Sequence, residues 1–212
     1  MEGAVYGLLG LLIAFTFSGA ATRYDSRKLL IVEEANAIGT AYLRLDLLPA
    51  GAQASLKEKF RQYVDSRLEI YQKLPDKKAA KAAFDKSTSY QNAIWAEAVA
   101  ASQSSSSSSP TMLLLPALNQ MIDITTTRTV ASQVHPPSIV YFLLMGLALV
   151  SALLAGYSMG ESRSHNWLHT LLYAAILSLA IYVILDLEYP RLGLIRIDAA
   201  DQLLLDLRHS MQ

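Results

Sequence analysis

Two adjacent acids in an otherwise apolar stretch, Glu33 and Glu34 of "IVEEANAIGTAYLRLDLLP" (residues 31–49), are the residues whose type first points to chemistry. On a helix of 3.6 residues per turn, Glu33, Asn36, Thr40 and Arg44 follow one another at steps of three, four and four. Ile31, Ala35, Ile38, Tyr42 and Leu45 make a separate apolar face. Such a polar stripe faces water with Arg44 paired to an acid, or faces a partner chain, or lines an axial cavity that conducts ions. Glu33 and Glu34 lie within about three turns of the end of an uncharged segment, where acids mark ion pathways or polar contacts between helices. Near the inner end of that segment Phe15, Phe17 and Ser18 are candidates for a narrow apolar neck, which gates ions by excluding water; the plainer reading has them facing lipid or packed. The candidate polar lining is thus Glu33, Glu34, Asn36 and Thr40. Several copies of Glu33 around one axis would favour cations.

Other constellations carry less. His165 and His169, four residues apart, share a helical face, but Glu161 is the one nearby third ligand and structural metal sites usually need four. They read as interfacial histidines, and no metal or cofactor is expected. No phosphate loop, nucleophile elbow, HExxH or dinucleotide fingerprint occurs, so no catalytic residue is assigned and an enzyme ranks below a channel or a non-conducting scaffold that binds a protein partner. Cysteine is absent, which removes disulfides, thiolate metal sites and a cysteine nucleophile together. Lys plus Arg equals Asp plus Glu at 18 each, leaving no charge bias toward nucleic acid.

The elements that must position these residues are set by composition. Hydrophobic residues make up 52% of the 212 and charged ones only 17%, which puts a membrane protein first. Residues 4–22 are uncharged until Arg23 and long enough to cross the roughly 30 Å hydrocarbon core. A secretory signal is the rival reading, but Met1-Glu2-Gly3 lacks the basic start of such signals. A second span, 139–160, follows "HPP" at 135–137, and a third, 167–189, opens on Trp167 and closes near Tyr182 and Tyr189 in the manner of interfacial anchors. The short loop between them makes an antiparallel hairpin. Residues 21–138 hold 14 Lys and Arg against Arg163 alone in 161–166, so the basic-residue rule puts the middle region and tail in the cytoplasm and the N-terminus outside.

The domain reading is a first span at 1–22, a cytosolic helical region at 23–138, spans at 139–160 and 167–189, and a tail helix at 190–212. One long helix is expected to run from the first span into the cytoplasm, because no proline separates it from the acid stripe. Within the cytosolic region Leu56, Phe60, Tyr63, Val64, Leu68, Tyr71 and Leu74 recur at mostly three and four residue steps, and Asp76 begins an alanine-rich helix. The serine-rich run at 102–110 reads as a flexible loop whose Pro110 blocks the next turn, and Pro116 interrupts the apolar stretch after it. The tail helix is expected to begin with Asp198 as cap and dock through Leu203, Leu204 and Leu207. Gly3-x-x-x-Gly7 and Gly156-x-x-x-Gly160 offer small faces for close helix approach. Three spans without mid-depth charge do not enclose an aqueous route alone, so transport requires several copies around an axis.

The stretches "AFTFSGAATRYDSRKLLIVEEANAIGTAYLRLDLLP", "LLLPALNQMIDITTTR", the "HPP" and "DLEYPRLGLIRID" closely resemble the bacterial bestrophin-like membrane protein family, along nearly the whole chain. The resemblance implies an all-α integral membrane protein of the bacterial inner membrane with a distant likeness to bestrophins, pentameric ion channels with a single axial pore and an apolar neck. It implies that the first helix lines the pore, with Phe15 and Phe17 near a neck and Glu33, Glu34 or Asn36 at the cytoplasmic side. Its implied partners are the lipid bilayer, further copies of the same chain and inorganic ions. Bestrophins have four membrane helices and an acidic calcium clasp. Three spans and no such cluster are found here, so calcium gating is not implied.

Overall fold

The computed structural model describes residues 2–74, 76–104, 109–160 and 167–211. Every regular element among them is helical: α1 (Glu2–Arg44), a 3-10 turn (Leu45–Leu47), α2 (Ala50–Gln72), α3 (Lys77–Gln103), α4 (Ser109–Gln133), α5 (Ser138–Gly160), α6 (Trp167–Glu188) and α7 (Asp198–Ser210). The serines at 105–108 and residues 161–166, with Glu161, Arg163 and His165, lie outside the described residues. The chain is an all-α membrane protein, with helices long and apolar enough to cross a bilayer in α1, in Pro110–Met159 and in α6.

It divides into two compact units, Met1–Asp25 with Val134–Ile195 and Ser26–Gln133 with Arg196–Gln212. The division falls inside α1, which contributes its first half to one unit and its second half to the other.

The first unit holds the apolar spans. In the apolar window of α6 only 6% of residues are buried, so most of its surface is left for lipid or for other chains. A small core joins Leu9 and Ala20 of α1 to Leu144 and Ala148 of α5 and to Ile184 and Leu187 of α6. Two pairs set the direction of α1 and α6. The rings of Tyr6 and Tyr173 meet edge to face at 6.4 Å, and Arg23 reaches Glu188. From the first pair to the second is 17 residues on α1 and 15 on α6, roughly 25 Å and 22 Å at 1.5 Å per residue. The two helices therefore run parallel, and each pair sits near one end of the apolar segment. Thr170 of α6 donates to the sulfur of Met159 of α5 at 3.3 Å, tying the end of α5 to the start of α6.

After Glu188 the chain turns back on itself around a carboxylate. Asp186 is buried and accepts the backbone N–H of Leu194 (3.0 Å) and of Ile195 (2.9 Å), so the turn ties itself to the end of α6. The fold requires glycine at 193: a Cβ there would stand 1.2 Å from Oδ1 of Asp186.

The second unit has a conventional core. Ala37, Ile38, Ala41 and Leu45 of α1 pack with Leu56, Phe60, Tyr63 and Val64 of α2, Ile94 and Ala98 of α3, Leu114, Leu118 and Met121 of α4 and Leu204 of α7. Each large apolar side chain so buried contributes about 1.5–3 kcal/mol. Asp76 caps α3 through its side chain, accepting from the N–H of Lys78 and Ala79.

Several expectations are corrected here. Pro110 occupies the first turn of α4, where its missing N–H has no partner to lose. Pro116 lies inside α4 and the helix continues through it. Arg44 pairs with no acid among the described residues; its Nη1 donates to the carbonyl of Leu113. In α7, Ile197 rather than Asp198 holds the cap position, Leu204 is buried and Leu203 is exposed, because Leu204 is the position turned toward the α1 and α2 core.

Candidate functional site

The residues singled out in the sequence all lie on α1, and the helix separates them by face. In the first unit Thr16 turns inward, with its hydroxyl donating to the carbonyls of Leu12 and Ile13, while Leu11, Ala14, Phe15, Ser18 and Thr22 are exposed. Phe15 is 69% exposed and Phe17 45%. Two residues on a helix are about 200° apart, so Phe15 and Phe17 point to opposite sides. Ser18 shares the side of Phe15, and Phe17 does not.

In the second unit Glu33, Asn36 and Thr40 are exposed at steps of three and four, with Leu29 one turn before and Leu43 one after. Glu34 is not part of that surface. It is fully buried, and both carboxylate oxygens are taken: Arg67 Nε of α2 donates to Oε1 at 2.6 Å, and Arg128 Nη1 of α4 donates to Oε2. The reason is angular. One residue is about 100° of rotation, which carries Glu34 from the outer face to the face packed on α2 and α4.

The Glu34 site is a small charged core. Tyr71 places its ring under both guanidinium groups, 4.8 Å from Arg128 and 5.9 Å from Arg67, and its hydroxyl accepts from Arg67 at 3.2 Å. Burial holds the Tyr63 phenol above its ordinary value against the opposing pull of Arg67 and of a hydrogen bond from Gln91. Gln91 also donates to Thr125 at 3.3 Å, so α2, α3 and α4 share one polar network inside the apolar core.

The first unit has a counterpart at the end of α6. Glu188 is buried and accepts from Arg23 Nε at 3.0 Å and Nη2 at 2.8 Å. His135, which precedes α5, sets Nδ1 2.9 Å from Oε1 and stacks its ring on Tyr189 at 4.8 Å. Each half of α1 is thus held by an ion pair within its own unit.

Sequence reasoning missed Thr22 and Asp25, which are also exposed on α1. The same three and four residue step, carried back from Glu33 through Leu29, would have reached them. It missed the ion-pair partners as well, which lie 33, 94 and 165 residues away and leave no local signal.

In the first unit α1 exposes an aromatic ring at Phe15, hydroxyls at Ser18 and Thr22 and a carboxylate at Asp25, and in the second unit a carboxylate at Glu33. The small residues Gly3, Gly7 and Gly10 have open space around them, so another backbone can approach there. Residues 3–201 match the protein-family model described as "Bestrophin-like domain". No curated protein and no solved structure matches the chain.

Proposed function

The chain belongs to the bestrophin-like family, and from that premise we propose that it is a homo-oligomeric ion channel rather than an enzyme, with copies of α1 around an axial pore. The observation that carries this reading is that each half of α1 leaves aromatic or polar side chains exposed while an ion pair holds it elsewhere. In the first unit Phe15, Ser18 and Thr22 recur along α1 at steps of three and four, and in the second unit Glu33, Asn36 and Thr40 do the same. Phe15 forms the neck with Ser18 beneath it. Glu33, with Asn36 and Thr40, makes the polar lining and favours cations, because a ring of carboxylates lowers the energy of a cation in a narrow pore. Phe17 and Glu34 are left out of the pore.

The assembly has five copies by analogy with bestrophins, and the chain sits in the bacterial inner membrane with its N-terminus outside and its C-terminus in the cytoplasm. The basic-residue excess on one side of the spans supports that orientation.

The test is recording from purified protein in a planar bilayer under an asymmetric salt gradient. Discrete currents with a cation-side reversal potential are expected. Phe15→Ala should raise conductance several-fold and Phe17→Ala should leave it unchanged; Glu33→Gln should move the reversal potential toward zero. Silence from an intact oligomer across voltage and pH would replace the channel with a scaffold that binds a protein partner.

A further inference from the structure

Where the chain leaves the span of α6, the turn at 189–195 carries two leucines that nothing in the first unit covers. Leu192 is 69% exposed and Leu194 82%, the latter above the 73% reached by Phe142, Leu153 and Tyr157 on the apolar α5. The turn itself is fixed. Leu194 and Ile195 donate their N–H groups to the buried Asp186 carboxylate, and Arg191 and Leu192 donate theirs to the carbonyl of Tyr189 at 2.7 and 3.0 Å. Pro190 is buried, and Ile195 packs on the core of the first unit. The backbone of Gly193 lies against Asp186, while the side chains on either side of it are turned out.

The depth of these leucines follows from the helix. With 22 residues, α6 is roughly 33 Å long at 1.5 Å per residue, so its ends fall close to the two faces of a hydrocarbon layer about 30 Å thick. Side chains on a helix lean toward its N-terminus, which for Asp186 is the direction of the bilayer centre. By holding the N–H groups of Leu194 and Ile195, Asp186 brings the chain back to a level about 3 Å inside the end of α6. The leucines are thus returned to the hydrocarbon boundary. The last turn of α6 leaves Leu185 and Tyr189 exposed at the same level, so Leu192 and Leu194 continue the apolar surface of the span.

We infer that the 189–195 turn is seated in the interfacial layer of the bilayer, with Leu192 and Leu194 among the upper acyl chains. Large apolar side chains held side by side in a fixed turn gain by leaving water, and the boundary between headgroups and acyl chains is where such groups settle. A second copy of the chain is the competing cover. Two leucine side chains offer on the order of 200–300 Å2, against about 800 Å2 a side for a stable protein interface, whereas acyl chains already surround α6 at this depth. Seated in this way, the turn fixes the depth of the α6 end, and with it Glu188, which holds Arg23 of α1.

Spin-label collision measures this directly, because a chain without cysteine accepts a single label at any chosen site. Labels are placed through Leu192→Cys, Leu194→Cys, Leu153→Cys on α5 and Ser89→Cys on the exposed side of α3, in vesicles of phosphatidylethanolamine and phosphatidylglycerol. Oxygen concentrates in the hydrocarbon and a nickel chelate stays in water. Relative to the chelate, the labels at 192 and 194 are expected to meet oxygen several-fold more often than the label at 89 and less often than the label at 153. A ratio equal to that at 89 would put the turn in water, and protection from both reagents would assign it to a second copy; either result overturns the proposal. Should a variant fail to elute as the wild type does on size exclusion, the unmodified chain answers the same question. A phospholipid with a photoreactive diazirine near the ester end of its acyl chain is expected to mark the 189–195 peptide, and marking confined to other peptides would overturn the insertion.

Discussion

Glu34 and Glu188 are both sealed from solvent and both held by arginine, yet their surroundings differ. Glu34 lies in a packed helical core between two arginines that are themselves 3% and 8% exposed, with an aromatic ring beneath them. Glu188 lies at the end of an apolar span, and its partners Arg23 and His135 retain 27% and 28% exposure. In the first case the whole cluster has been taken out of water, so each charge depends on the others. In the second the cation keeps a route to solvent or to lipid headgroups, and the anion alone depends on being paired. Two sites with the same ion-pair chemistry thus place different demands on the fold.

The comparison predicts graded losses. Glu34→Ala leaves two buried arginines facing each other and should cost about 3–5 kcal/mol. Hydrogen exchange in the interior of α2 and α4 should then speed up by roughly a hundredfold or more, since each 1.4 kcal/mol is a factor of ten. Glu188→Ala should cost less, about 1–3 kcal/mol, because Arg23 can turn to water; hydrogen exchange at the α6 end and in the 189–195 turn measures it. A loss at Glu188 equal to that at Glu34 would break the distinction. Arg208→Ala is the floor of the series. Arg208 binds Asp65 with two hydrogen bonds, and this pairing raises its pKa, but both side chains are exposed, so the loss should stay below about 1 kcal/mol and shrink further in salt.

What was legible in the sequence follows the range of the interactions involved. The spans were legible because twenty uncharged residues mean the same thing wherever they occur, and the hairpin because a short loop allows few geometries. The unbroken α1 was legible from the absence of proline. The α2 face was largely legible from spacing, with Leu56, Phe60, Tyr63, Val64 and Leu68 all buried. The fate of two neighbouring glutamates was not, because a single 100° step divides them and the arginines that claim Glu34 come from α2 and α4. Phe15 and Phe17 could have been separated from spacing alone, as residues two apart do not share a side of an α-helix. Pro116 was misread because the cost of a proline inside a helix depends on the packing that holds the helix on both sides of it, which is not visible locally. The Asp186 turn was equally hidden, since the glycine it needs is defined by a carboxylate seven residues earlier.

The pairing of Arg23 with Glu188 also bears on the order in which the molecule is made. The two residues are 165 positions apart, and ribosomes add about 5–20 residues per second, so the arginine is made roughly 8–33 s before its partner. Throughout that interval the first span sits at the membrane boundary with an unpaired cation on the side destined for the interior. The ion pair of the first unit is therefore its last contact to form: until α6 arrives with Glu188, water or lipid headgroups hold Arg23, and the end of α1 is tied down only once α6 is in place.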